Sequence, residues 1–321
     1  MMGQAAVVRE AGLPKVRTKK WKKTRRYGVL LLMTVPGILY LLINNYLPML
    51  GVVIAFKDIN YAKGFFNSDW VGLQNFEFLF KTTDAYIITR NTILYNVAFI
   101  VLNLIAAIAL AILLNELKNR WLSRFYQSAV LLPYLISTVI IGYLVFALLS
   151  GDSGMLNNKI LPLLGMHEIN WYSETKYWPY ILTMVSVWKG AGHLCIIFLA
   201  AIVGIDQEYY EAATIDGASR WQQIRSITIP LITPVITIMT LFAIGRIFYS
   251  DFGLFYQVPL DAGALSPVTN VIDTYVYRAL LTLGDIGMSS AAGVYQSLVG
   301  FIFVIVSNYI VRKINSENAL F

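Results

Sequence analysis

The residues richest in chemical possibility sit in one polar stretch, DQEYYEAATIDGASRWQQIRSITIP, at 206–230. Asp206 can cap a helix, and Glu208 and Glu211 fall in early turns where the helix dipole favours carboxylates. Gly217 stands where that helix must stop and reverse, a position that tolerates positive φ. Ser219 followed by Gln222 has the spacing of a capping box that opens a second helix. Pro230 suits the first turn of whatever follows, because its missing N–H is not needed there. Two short helices about a tight turn are expected, with Ala212 and Ala213 offering a face without bulk to another protein's surface.

Catalytic chemistry is poorly supplied. There are two histidines, His167 and His193, and the sequence after His167 lacks the second histidine of a zinc helix. No G-x-S-x-G elbow is present, and no G-x-x-x-x-G-K-[ST] loop, so the chain has no phosphate cradle of its own. The one cysteine, Cys195, excludes a disulfide within the chain. A membrane enzyme is one reading these absences argue against.

The elements that must carry the 206–230 segment are set by composition. The chain of 321 residues is 57% hydrophobic and 13% charged, against about 25% charged in a typical soluble domain. The apolar residues gather into runs of about 20, the length that crosses the hydrocarbon core. The reading is an all-α integral membrane protein with about six transmembrane helices, at roughly 29–50, 92–114, 127–149, 180–204, 230–249 and 293–311. Pro36 and Pro48 are expected to break the first, and Ser128 lies near the start of the third. The first run is long and lacks a small-residue cleavage pattern, so no cleavable signal is expected.

Charge sets the orientation. The net charge of +7 has its source in residues 1–28, where Lys19, Lys20, Lys22, Lys23, Arg25 and Arg26 precede the first span. Such a segment marks a cytoplasmic end and suits anionic lipid headgroups, with Trp21 among them, better than nucleic acid. Lys118, Arg120 and Arg124 put the 115–126 link on the same side, and Arg312 and Lys313 do so for the tail at 313–321. Both termini are therefore expected in the cytoplasm, with 51–91, 150–179 and 250–292 outside. Trp70, Phe76 and Phe80 in the first external link fit an aromatic belt or a docking surface.

Polar groups inside the spans mark a pathway or bond neighbouring helices. The candidates are Asn44, Asn45, Asn96, Asn103, Trp188, Lys189, His193, Arg246, Tyr249 and Asp251. Of these Trp188, Lys189, Arg246, Tyr249 and Asn96 are the residues expected to line a solute path. Were the solute a sugar, aromatic faces there would stack on its rings, and Lys189 with Arg246 would suit an acidic one. The opposing reading has Lys189 snorkelling or pairing with a partner subunit. His193 is expected to pack helices. Gly190, Ala191 and Gly192 either let span four approach a neighbour or widen a lumen. An ion-coupled secondary transporter is the main rival function, but it would favour buried carboxylates, which the spans almost lack.

The 206–230 segment resembles the signature of ABC importer permeases: Glu-Ala-Ala, three residues, Gly, nine residues, then Ile-x-Leu-Pro. Glu211, Ala212, Ala213, Gly217, Ile227 and Pro230 keep that spacing, with Ile229 in the Leu position. Asp216, Ala218 and Trp221 resemble the carbohydrate-uptake branch. VPGILYLLINNYLPMLGVVIAFKD, VGLQNFEFLF and the pattern of Asn91, Thr92 and Tyr95 are similar to permeases for oligosaccharides of the aldouronate and pectin-fragment kind. The resemblance runs from about residue 29 to the end, and the 51–91 link is too short for the large external domain of some maltose-type subunits.

What this resemblance implies is a permease domain at 29–312 in a bacterial plasma membrane. The 206–230 loop would be a cytoplasmic coupling helix-turn-helix between a basic segment, 1–28, and a short tail, 313–321. It further implies a second permease subunit, two ATPase subunits that hold ATP and Mg, and an external solute-binding protein, with no cofactor on this chain. Glu211 would pair with a basic residue on the ATPase, Gly217 would set the elbow, and Ala212 and Ala213 would allow close packing.

Overall fold

Backbone in hydrocarbon can satisfy its hydrogen bonds only within helices or closed barrels, and long runs of Leu, Ile, Val and Ala choose the helix. The computed structural model describes residues 27–60, 62–77, 81–282 and 284–314, and it is almost entirely helical. The basic segment, most of the tail and Phe80 lie outside these residues.

The stretch up to residue 51 forms one unit and residue 52 onward another. In the first unit, α1 (Gly28–Leu41) runs straight through Pro36, so the break expected there is absent. The second unit holds α2 (Thr83–Asn115), α3 (Arg120–Leu135), α4 (Thr138–Leu149) and α5 (Trp178–Val203). They are followed by α6 (Gln207–Ile215), α7 (Arg220–Gly245), α8 (Phe252–Gln257), α9 (Ile272–Leu281) and α10 (Ile286–Ile314). Among the described residues five helical stretches are long and apolar enough to cross a membrane, and α3 with α4 makes a sixth if the bent pair counts as one.

That pair departs from the straight third span read from the sequence. The two helices meet at 95°. Pro133 cannot donate to the ladder, and Ile136 and Ser137 are extended, with ψ of 132° and 139°. Each half is 16 or 12 residues, short of the ~20 needed to span alone.

The described residues also hold two strands, Lys57–Asp58 (β1) and Asp69–Trp70 (β2), paired antiparallel with Lys57 opposite Trp70. Asn75 locks this hairpin by donating its amide to the carbonyls of Ala55 and Lys57 at 3.0 and 2.9 Å.

Packing brings two of the links together. Tyr95 and Phe99 of α2, Ile141 of α4, Trp178 and Leu182 of α5 and Phe255 of α8 share one buried cluster with Trp171 and Leu265 of the links. Asn91 donates to the carbonyls of Pro267 and Asn270, both at 3.0 Å, and the Thr92 hydroxyl accepts from Ile272 N–H. Links 150–179 and 250–292 thus meet at one end of α2. At the other end Ala107, Ala111, Phe198 and Ile232 form a separate cluster joining α2, α5 and α7.

Helix α5 lies along α2 and against α3, and two glycines permit it. A Cβ on Gly190 would fall 2.6 Å from Asn103 Oδ1, and one on Gly192 only 1.9 Å from the carbonyl oxygen of Val130. The small residues of span four serve close packing. His193 stacks on Tyr134 of α3 at 4.5 Å between ring centroids.

Candidate functional site

The 206–230 segment folds as an elbow. Asp206 caps α6 by accepting from Glu208 N–H at 3.1 Å. Gly217 has φ of +78°, which only glycine adopts without cost. Around it Ala218 N–H reaches the Ala213 carbonyl and Gly217 N–H that of Thr214, the paired bonds of a Schellman stop. Ser219 then opens α7 with a complete capping box: its hydroxyl accepts from Gln222 N–H, and Gln222 Oε1 accepts from Ser219 N–H at 2.7 Å.

The second short helix does not end before span five. From Arg220 the chain stays helical to Gly245, through one wide turn at Ile224–Thr228. In that turn Ile229, the residue before Pro230, donates to the carbonyl five residues back rather than four. Widening makes room for the proline ring, which would strike a carbonyl in a regular helix. The same pattern precedes Pro48, at Leu42–Tyr46, and Pro162, at Leu156–Ile160.

Side chains brace α6 against α7. Buried Gln223 donates to Thr214 Oγ1 at 3.0 Å, and Tyr210 and Thr228 share a hydroxyl hydrogen bond of 2.9 Å. A hollow of about 210 Å³ beside them is lined by Asn115, Lys118, Tyr210 and Arg220, which places the 115–126 link at this same end. Glu211 and Ala212 are exposed, Ala213 and Ile227 half-buried, and Pro230 exposed. Glu211 has no ion pair among the described residues. Ile215 and Trp221, 86% and 71% exposed, flank the elbow as apolar knobs.

The intramembrane candidates divide. Lys189 donates to Thr138 Oγ1 at 2.5 Å, at the start of α4, and lies 3.9 Å from Asp251 Oδ2. Among the described residues its ion-pair partner is within the chain. Asn96 donates to Ser250 Oγ at 3.3 Å, next to Asp251. Ser250 N–H in turn reaches the Asp273 carboxylate at 2.7 Å, and burial pushes that carboxyl upward in pKa. Tyr249 turns away to the Ser297 hydroxyl at 2.9 Å. Arg246 and Trp188 are exposed, and the Arg246 side chain has no partner among the described residues. Asn96 thus bonds the residue that precedes Asp251, the ion-pair partner of Lys189, whereas the Tyr249 hydroxyl goes to Ser297.

Residues 107–316 match the family of binding-protein-dependent transport system inner membrane components. The chain belongs to this family. Among relatives, protein LplB of Bacillus subtilis (strain 168) is 37% identical over 90% of each chain. The polygalacturonan/rhamnogalacturonan transport system permease protein YteP of the same organism is 34% identical over 96% of this chain and 98% of its own. Among solved structures, a chain of a bacterial ABC transporter involved in the import of the acidic polysaccharide alginate superposes with a TM-score of 0.84. It is 30% identical, and the match covers 92% of this permease and 99% of that chain.

A permease of this family works in an ABC importer, so the ion-coupled secondary transporter is set aside. Within this permease the sequence concealed Asp273, Gln223, Tyr210 and Thr228, because an isolated polar residue carries no sign of the partner it will find. Asn91 and Thr92 drew notice only through family likeness, and their contacts clamp link 250–292 to α2.

Proposed function

We propose that this permease forms half of the path by which an oligosaccharide, of the acidic kind, enters a bacterial cell, and that 206–230 is the part gripped by an ATPase. The observation that carries this is the elbow: a capped, glycine-stopped, internally braced projection with a Glu211 that has no ion pair among the described residues and with exposed Ile215 and Trp221, on a chain of this family. The sugar class draws on the polygalacturonan/rhamnogalacturonan and alginate systems to which the chain is similar.

The assembly we infer has a second permease, two ATPases holding ATP and Mg at the cytoplasmic face, and an external binding protein. A related structure includes an alginate pentasaccharide-bound periplasmic protein, which supports the last. This chain itself binds no cofactor in that scheme. Ala212 and Ala213 allow close approach, Glu211 supplies the charge, Gly217 sets the angle, and Ile227 and Pro230 join the elbow to the span. Closure of the ATPases would then favour one of two arrangements of the spans.

The test is ATP hydrolysis by the co-expressed assembly in proteoliposomes. A sugar-loaded binding protein should stimulate it, and Glu211→Ala or Gly217→Pro should abolish the stimulation while the permease stays in the membrane. Proline holds φ near −65° and cannot reach the +78° of Gly217. Full stimulation in both variants refutes the coupling role.

A further inference from the structure

Lys189 is a charge in an expensive place. It lies in the middle of α5, its side chain only 18% exposed. An ammonium has three N–H donors, and an unused one is costly away from water. Among the described residues Lys189 spends one, on Thr138 Oγ1. Asp251 stands at 3.9 Å, which is attraction across space and beyond hydrogen-bond length.

Asp251 is already committed elsewhere. Its Oδ1 caps α8 by accepting from Leu254 N–H at 3.1 Å, and the side chain is half exposed. Gly253 lets that loop come close, since a Cβ there would lie 3.2 Å from both Asp251 Oδ1 and Thr138 Oγ1. Three segments therefore converge on one ammonium: the break between α3 and α4, the middle of α5, and the loop after α7. Asn96 adjoins them through Ser250.

We propose that Lys189 is the carboxylate-recognition residue of the path, and that Asp251 is a stand-in counter-ion which an acidic sugar relieves. The inference rests on the transport function proposed above and names the group that reads the sugar's charge. A ligand carboxylate meets the two spare donors with charge-assisted hydrogen bonds that Asp251 does not make. Asp251 keeps its capping bond throughout, so α8 need not unwind for the exchange. A neutral sugar gains nothing from displacing it.

The experiment compares uptake of trigalacturonate and of its fully methyl-esterified form by proteoliposomes holding the whole importer and its loaded binding protein. Wild type is expected to favour the acid. Lys189→Met should cut the ratio of acid to ester by about tenfold, the equivalent of one lost charged hydrogen bond, while uptake of the ester persists. Lys189→Arg should restore the preference, and Asp251→Asn should raise it. Four results overturn the proposal: no acid preference in wild type, an unchanged ratio in Lys189→Met, equal loss of both sugars, or a lowered ratio in Asp251→Asn. Failure of the underlying function shows separately, as ATP hydrolysis that no loaded binding protein stimulates.

Discussion

At the scale of single residues, glycine does two different jobs in α5, and their costs should differ. The Cβ of Gly192→Ala would meet the Val130 carbonyl at 1.9 Å, so backbone of α3 or α5 must shift. Overpacking of this kind costs about 1–3 kcal/mol, and a clear fall in the detergent melting temperature is expected. Gly190→Ala meets only the end of the Asn103 side chain, whose Oδ1 is buried without a partner and which can give at the expense of its single 2.8 Å bond to the Phe99 carbonyl. Its melting temperature should stay near wild type, and equal losses would show that the approach of α5 to α3 is not what Gly192 serves. The sequence flagged the glycine cluster but left its purpose open, because residue type alone does not say what lies opposite. The same limit hid the bond between Lys189 and Thr138. Lys189 stood out in the sequence but Thr138 did not, and nothing in the spacing of the chain aligns α5 with the start of α4.

Helices were readable where hydrophobicity is continuous, and their caps where polar residues have fixed offsets. Asp206, Gly217 and the Ser219–Gln222 pair all act as their types suggest. Less legible were the polar extensions, since α2 begins at Thr83 and α3 at Arg120, ahead of the apolar runs. The 95° bend was hidden too, because Ile136 and Ser137 interrupt nothing in the hydropathy of 127–149. Only Pro133 hinted at it. Pro230 misled in the other direction: a proline that reads as a boundary sits inside an unbroken helix because the turn before it widens. Ser219→Ala removes one side of the capping box and should cost about 1 kcal/mol of local helix stability. Faster amide exchange over 219–223, with the spans unchanged, is the expected outcome. Protection equal to wild type would mean that Gln223 and its neighbours hold the elbow without the cap.

For the molecule as a whole, charge bias and parity in the sequence sorted the links into two sets, and among the described residues the fold brings 150–179 and 250–292 together at one end of α2 and 115–126 and 206–230 together at the other. Which end faces the cytoplasm is open to direct test. Cys195 is buried, so a single introduced cysteine can be labelled against a quiet background. Maleimide that does not cross the membrane should modify Asp58→Cys and Leu260→Cys on intact cells and spare Glu116→Cys and Gln207→Cys. The reverse pattern overturns the proposed orientation, and with it the coupling role of the elbow.

The unbroken run from Arg220 to Gly245 has a mechanical corollary. Its 26 residues make a helix about 39 Å long, continuous through the wide turn at Ile224–Thr228 and past Pro234, from the tip beside Ser219 to the far end, where Arg246 and then Asp251 follow. Under the coupling role proposed here, one continuous helix links a stroke delivered at Trp221 to the charges around Lys189, and the wide turn and Pro234 are the places where it would bend. Motor and solute would then work opposite ends of one see-saw.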